Sequence, residues 1–110
     1  MKQYIIDEFR AAEHEKLKKS LGDKYGEPVL DGLYWVPLDP ALYNDIQTEH
    51  TDCQPYYFAL DLEPNSLACE LLVRTQNRVR CNCISYATER QRNWLIRLVD
   101  DLFEALDIIT

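Results

Sequence analysis

The segment Tyr56–Leu62 reads YYFALDL, with large apolar side chains at its even-numbered positions and mixed side chains at the odd ones. Successive side chains of a strand point to opposite faces, so this pattern predicts a half-buried β-strand. The next four residues, Glu63–Ser66 (EPNS), have the composition of a turn. Leu67–Arg74 alternates in the same way after that turn. These segments predict an antiparallel hairpin at the centre of the fold.

A second hairpin is predicted immediately downstream, because Arg78–Ile84 (RVRCNCI) alternates as well. Residues opposite each other in an antiparallel pair share a face, which requires a loop of odd length. The three residues Thr75–Asn77 meet this requirement, with Asn77 as the left-handed residue. The resulting register pairs Leu71 with Cys81 and Cys69 with Cys83.

Helices are predicted at both ends of the chain. Apolar side chains recur at helical spacing after the N-terminus and predict a helix over about Lys2 to Ser20. Near the other end, Thr88 and Gln91 form the pattern of a capping box, followed by a long run with an apolar face. This pattern predicts a C-terminal helix that begins at Glu89.

Shorter elements are predicted between the first helix and the hairpins. Leu33–Val36 is a short apolar strand ended by Pro37, and Pro40 can open a brief helix through Ile46. The predicted order is therefore α-β-(α)-β-β-β-α. It favours an α+β fold, a mostly antiparallel sheet of about four strands with the N- and C-terminal helices packed on one face. A chain of 110 residues has the usual size of one domain, here residues 1–110.

The chain is acidic, with a formal charge of −7. This charge argues against general nucleic-acid binding, which depends on Lys and Arg at phosphates. The sequence also has no signal-peptide pattern and no run of membrane-spanning length. We therefore expect a cytoplasmic protein whose four cysteines are thiols or metal ligands rather than a disulfide framework.

The charges are segregated along the chain. Residues 25–73 contain nine acids and no Lys or Arg, whereas residues 74–97 contain six Arg and one acid. Such blocks usually only solvate a fold, but an arginine-rich patch is also suited to an acidic partner. The predicted outer face of the sheet combines apolar and basic side chains, which makes it the candidate binding surface. Its residues are Tyr57, Leu72, Ile84, Arg74, Arg78 and Arg80.

The C-terminal helix is apolar around more than half of its circumference, whereas contact with one sheet requires a stripe about 100° wide. A second covering surface is therefore expected. The N-terminal helix is the economical candidate, and a second copy of the chain is the other.

The cysteines form the main candidate site. In the predicted register Cys69, Cys81 and Cys83 share one face, and His50 and Cys53 precede the adjoining strand. Zinc takes four such ligands in a tetrahedron, although Cys81 and Cys83 are not spaced as the usual Cys-x2-Cys pair. Buried cysteine also behaves as a small hydrophobe, so structural burial is the first interpretation and a zinc site the alternative. A Cys53 nucleophile with a His50 base is a further, weaker reading.

Three functions follow from these patterns. The first is a non-catalytic protein-interaction module that associates with itself or with another protein and has no cofactor. The alternative is a thiolate zinc-binding domain that uses the cysteine cluster. A third is a small enzyme that uses the central acids, which would have to converge in space; the sequence itself carries no catalytic motif. These acids are Asp31, Asp39, Asp45, Glu49, Asp52, Asp61 and Glu63.

Overall fold

The computed structural model describes residues 2–28, 30–77 and 80–109. Within these residues, six strands and three helices follow one another, with 3₁₀ turns at Pro40–Leu42 and Thr51–Cys53. The strands are β1 (Gln3–Asp7), β2 (Leu33–Pro37), β3 (Tyr56–Glu63), β4 (Ser66–Glu70), β5 (Leu72–Thr75) and β6 (Ser85–Tyr86); the helices are α1 (Ala11–Tyr25), α2 (Asp45–Glu49) and α3 (Glu89–Ala105). The fold is α+β with an antiparallel sheet, as the sequence predicts.

Strand β3 lies at the centre of the sheet. It pairs with β2 along one edge, and with β4 and then β5 along the other, while β1 lies outside β4. Leu60 pairs with Cys69, a register that would bring Val73 opposite Tyr56 if it continued. Tyr56 instead pairs with Thr75, so two extra residues are accommodated between β4 and β5. The two extra residues form a bulge, after which β5 runs along the start of β3 with Arg74 opposite Tyr57.

The predicted N-terminal helix over Lys2 to Ser20 is wrong for its first half, because β1 forms there and α1 begins only at Ala11. β1 completes the edge of β4, where Tyr4 pairs with Cys69. Its side chains alternate between exposed and half-buried, as in a strand. The spacing of the apolar residues in this segment is compatible with a strand as well as with the predicted helix. Glu8, with a positive φ of 65°, separates the strand from the helix.

The predicted second hairpin is also wrong. Arg78 and Val79 lie outside the described residues, and residues 80–84 form a turn instead of a strand. Of the described residues after the loop, only Ser85 and Tyr86, which form β6, pair with β5, with Val73 opposite Ser85. The predicted pairs Leu71–Cys81 and Cys69–Cys83 do not form, because the outer edge of β4 is occupied by β1. Within the described residues the sheet has six strands rather than about four.

The other local predictions are confirmed with small changes. The strand at Leu33 forms, and so do the turn between β3 and β4 and the capping box at Thr88. The brief helix predicted from Pro40 to Ile46 is divided into a 3₁₀ turn and α2, because Asn44 caps a new helix at the backbone N–H of Gln47.

Helix α3 packs against both the sheet and the N-terminal part of the chain. The Trp94 ring stacks on Phe58 of β3 at a centroid distance of 6.3 Å, and Phe103 contacts Phe9 at 6.0 Å. Lys16 of α1 donates to the Leu106 carbonyl at 3.4 Å. The broad apolar arc of α3 is thus covered from two sides. Within the described part of the chain, no helix has the length and apolar character needed to cross a membrane.

Candidate metal centre

Four side chains with metal-binding atoms meet beside the start of β3: His50, Cys53, Cys81 and Cys83. Their ligand atoms all lie within 4.8 Å of one another. Cys53 and Cys83 are buried, whereas His50 and Cys81 are half-buried. The cluster is therefore closed by the core on one side and reaches the surface on the other.

The distances within the cluster are close to those of a tetrahedral zinc site. Zn–S bonds of about 2.3 Å place two sulfurs about 3.8 Å apart, and a Zn–N bond of about 2.0 Å places nitrogen and sulfur about 3.5 Å apart. The Cys53 and Cys81 sulfurs are 3.9 Å apart. His50 Nδ1 lies 3.0 Å from the Cys81 sulfur. A movement of about half an ångström would bring this nitrogen to the tetrahedral position.

The first pair of ligands is placed by a tight turn at the end of α2. The His50 N–H donates to Ile46 at 3.0 Å, and the Cys53 N–H donates to the His50 carbonyl at 3.0 Å. The 3₁₀ turn between them brings both side chains to the same side. His50 and Cys53 thus have the two-residue separation and the tight turn that are typical of structural zinc ligands.

The second pair, Cys81 and Cys83, lies in the turn after β5. The Ile84 N–H donates to the Cys81 carbonyl at 3.0 Å, which folds the chain back on itself. Hydrogen bonds from the backbone N–H and the thiol of Cys83 lower the pKa of Cys81 to about 6. Burial raises the pKa of Cys83 to about 11. The hydrogen bonds from Cys83 therefore favour the thiolate form of Cys81.

The end of β5 is tied to the Cys53 turn by hydrogen bonds that need no metal. Thr75 donates its hydroxyl to the Cys53 carbonyl. The Asn77 side chain donates to the carbonyls of Asp52, at 3.3 Å, and Gln54, at 3.0 Å. The turn that carries Cys53 is therefore held in place without an ion.

A surface cavity of about 430 Å³ opens onto the cluster and is lined by residues 49–53 together with Arg80 and Cys81. It provides a path from solvent to the half-buried ligands.

Cys69, the fifth residue of the predicted ligand set, lies elsewhere. It is fully buried in β4 between Leu60 and Tyr4. Burial, with a smaller effect of Asp100, raises the pKa of its thiol to about 12. Cys69 thus fits the interpretation of a cysteine as a core hydrophobe, whereas the other three cysteines gather with His50. The predicted pairing of His50 with a Cys53 nucleophile is replaced by the contact of His50 with Cys81.

Part of the predicted binding surface lies together on one face of the sheet, because Tyr57 pairs with Arg74, and Leu72 precedes Arg74 by two residues in β5. Tyr57 is half-buried and packs edge-on against Trp35, and the Arg74 guanidinium pairs with the Glu70 carboxylate at 2.5 Å. Leu72 and Ile84 are both half-buried, and Ile84 packs against the core. Arg80 is exposed beside the cavity. Arg78 lies outside the described residues. A partner-binding role for this surface stays a prediction.

The central acids do not assemble into a second site. Among the described residues, the one group of at least three potential metal ligands is the cluster around His50. Glu49 and Asp52 line its cavity, whereas Asp31 and Glu63 line a separate cavity together with His14. The enzyme hypothesis stays a prediction.

Sequence reasoning missed the turn in which Cys81 and Cys83 lie. The spacing of Cys81 and Cys83 argues against zinc only if they lie in a strand, and they lie in a turn. The two-residue separation of His50 and Cys53 was the sequence signal that could have indicated a zinc ligand pair.

Comparison with known proteins yields no match, whether to a family model, a curated protein or a solved structure.

Proposed function

We propose that this chain is a zinc-binding domain in which His50, Cys53, Cys81 and Cys83 hold one structural ion. The observation that carries this proposal is the meeting of these four ligand atoms within 4.8 Å of one another. The ligands come from two turns far apart in sequence, so their convergence is a property of the fold. The ion would join the turn before β3 to the turn after β5.

The chemistry of the donor set favours zinc. Three thiolates and one imidazole form a soft to borderline set, which suits Zn²⁺ and is unsuited to Mg²⁺ or Ca²⁺, both of which prefer oxygen. Copper(I) also binds thiolates, and a mass measurement separates the two ions.

A structural role fits better than a catalytic one. Four protein ligands complete the tetrahedron of zinc, whereas catalytic sites keep a position for water or substrate. Such an ion adds its binding free energy to folding. It also requires reduced thiols, which supports the expectation of a cytoplasmic location. Self-association of the domain remains a separate prediction.

Native mass spectrometry of the purified protein tests the proposal. We expect one zinc ion per chain, and the same spectrum gives the oligomeric state. Two fully buried cysteines provide matched variants, since Cys83→Ala removes a ligand and Cys69→Ala removes a core thiol. Zinc should be lost from the first variant and retained in the second. A wild-type protein that binds no zinc, or equal retention in both variants, would overturn the proposal.

A second pair of variants covers the case in which Cys83→Ala does not fold. His50 and Cys81 are half-buried, so His50→Gln and Cys81→Ser disturb the core less. Each variant leaves three ligands, and we expect its zinc affinity to fall at least about 10-fold. Even the loss of a residue that only hydrogen-bonds to a ligand typically lowers metal affinity by about that factor. Competition with a chromophoric chelator measures that change. Wild-type affinity in both variants would contradict the proposed ligand set.

A further inference from the structure

The Tyr56 hydroxyl is a buried polar group next to the metal centre. Tyr56 is fully buried at the start of β3, and among the described residues its hydroxyl has no hydrogen-bond partner. A buried hydroxyl without a partner is unfavourable, so such a group in a folded protein calls for an explanation.

The position of the Tyr56 ring is fixed by its neighbours. Its backbone pairs with Thr75, the residue that donates to the Cys53 carbonyl. The ring packs edge-on against Tyr43 at a centroid distance of 4.9 Å, and the Tyr56 N–H donates to the Tyr43 hydroxyl at 3.3 Å. The side chain therefore cannot swing out to water without breaking these contacts.

The hydroxyl is directed at the thiol cluster. It lies beside Cys83 and also within electrostatic range of Cys53 and Cys81. A tyrosine hydroxyl has a pKa of about 10, so it keeps its proton at neutral pH. It can therefore act only as a donor or acceptor of a hydrogen bond at neutral pH.

The bonding capacity of Cys83 changes when a metal binds. A neutral thiol is a weak acceptor, whereas a thiolate is a strong one and forms charge-assisted hydrogen bonds. Coordination to zinc requires Cys83 to lose its proton. The buried thiolate then needs donors, and the Tyr56 hydroxyl is an unused donor at the right place.

We propose that Tyr56 is a positioning residue of the metal centre, whose hydroxyl donates to the Cys83 thiolate when zinc is bound. This inference rests on the proposed zinc site and adds a residue that does not touch the ion. The same hydrogen bond would withdraw electron density from the sulfur and fix its direction. Outer-shell partners of this kind typically contribute 10- to 100-fold to metal affinity.

The test compares Tyr56→Phe with Tyr34→Phe. Tyr34 is a second buried tyrosine, located in β2 on the opposite edge of β3 from β5. We expect Tyr56→Phe to lower the zinc affinity about 10- to 100-fold, as measured by competition with a chelator. In the cobalt(II) form, its sulfur-to-metal charge-transfer band should move to lower energy. Tyr34→Phe should change neither the affinity nor the band.

Thermal melts separate this role from a general packing defect. In the metal-free protein the hydroxyl has no partner, so Tyr56→Phe should melt at or above the wild-type temperature. In the zinc-loaded protein the same variant should melt below the wild type. A variant destabilised equally in both forms, or one with wild-type zinc affinity and an unchanged cobalt band, would overturn the inference alone. A wild-type protein that binds neither zinc nor cobalt would overturn the proposed function together with it.

Discussion

The sulfur atoms of Cys53 and Cys81 lie 3.9 Å apart although 28 residues separate them in the chain. That stretch of chain contains the hairpin of β3 and β4, the bulge and β5. The antiparallel pairing of β5 with the start of β3 places Thr75 opposite Tyr56 and so brings the end of β5 next to the Cys53 turn. The metal centre is thus a consequence of sheet geometry.

Removal of zinc is predicted to loosen the two ligand turns first. Within residues 80–84 the structure shows one backbone hydrogen bond, from Ile84 to Cys81, whereas β3 is paired on both edges. Segments with few backbone hydrogen bonds open at low cost. Chelation should therefore accelerate amide exchange at residues 50–54 and 80–86, as followed by hydrogen–deuterium exchange mass spectrometry. An equal acceleration in the β3–β4 hairpin would contradict this local role.

The cysteines are predicted to differ sharply in reactivity. In metal-free protein at pH 7, Cys81 should be alkylated first, because its pKa of about 6 leaves it mostly a thiolate. Its rate should fall when the pH is lowered through 6, and zinc should protect it. Cys69 should stay unmodified throughout, since it is buried with a pKa of about 12. Peptide mass spectrometry after timed alkylation measures all of these rates, and modification of Cys69 as fast as Cys81 would refute the assignment.

The central hairpin could be predicted from sequence because its signals are local. Alternation in β3, a turn with Pro64 and alternation in β4 lie within 15 residues, Tyr56 to Glu70. The capping box of α3 is local in the same way. β1 was missed because its five residues fit helical and strand spacing alike, and the deciding contact, the edge of β4, is about 60 residues away.

The sequence predicted most of the residues of the candidate site but not their arrangement in space. Four of the five predicted ligands come together, and Cys69 was included only because the wrong hairpin register placed it beside Cys83. An alternating sequence such as RCNCI is a local pattern, and it occurs here in a turn while β1 occupies the edge of β4 that the predicted register requires. The approach of Tyr56 to Cys83 depends on the path of the turn that contains Cys83, for which the sequence carries no separate signal.

The hydrogen bond between Tyr4 and Asp100 is predicted to make stability depend on alkaline pH. The Tyr4 hydroxyl donates to the Asp100 carboxylate at 2.5 Å, and burial together with this bond raises the pKa of Tyr4 to about 12. Tyrosine in the unfolded chain has a pKa of about 10. The folded state therefore holds the proton more tightly, so this stabilisation is complete below pH 10 and is lost as the pH rises towards 12.

Urea denaturation at pH 9, 10 and 11 tests the Tyr4 prediction. The free energy of unfolding should decrease with pH in the wild type and decrease less steeply in Tyr4→Phe, which has no proton to lose at this position. Other buried tyrosines contribute to the slope in both proteins, so the difference between the two slopes isolates Tyr4. Identical slopes would show that the bond to Asp100 has no influence on stability.

Gln91 is predicted to be a major contributor to stability. Its fully buried side-chain amide donates to the Leu42 carbonyl at 2.8 Å and to Gln47 Oε1 at 2.9 Å. Its oxygen accepts the Thr88 N–H at 3.0 Å, so one side chain joins the start of α3 to the segment before the metal centre. Gln91→Leu keeps the volume but leaves these partners unpaired, and should cost about 2 to 4 kcal/mol.

Asn93→Ala is the matched control for Gln91→Leu. Asn93 lies in the same helix but is exposed, so its loss should change the free energy of unfolding by no more than about 0.5 kcal/mol. Chemical denaturation of the zinc-loaded proteins measures both changes. Neither variant removes a ligand, so each should still bind one zinc ion per chain below its unfolding transition. A Gln91→Leu protein as stable as Asn93→Ala would mean that the buried amide bonds are fully compensated by the added leucine.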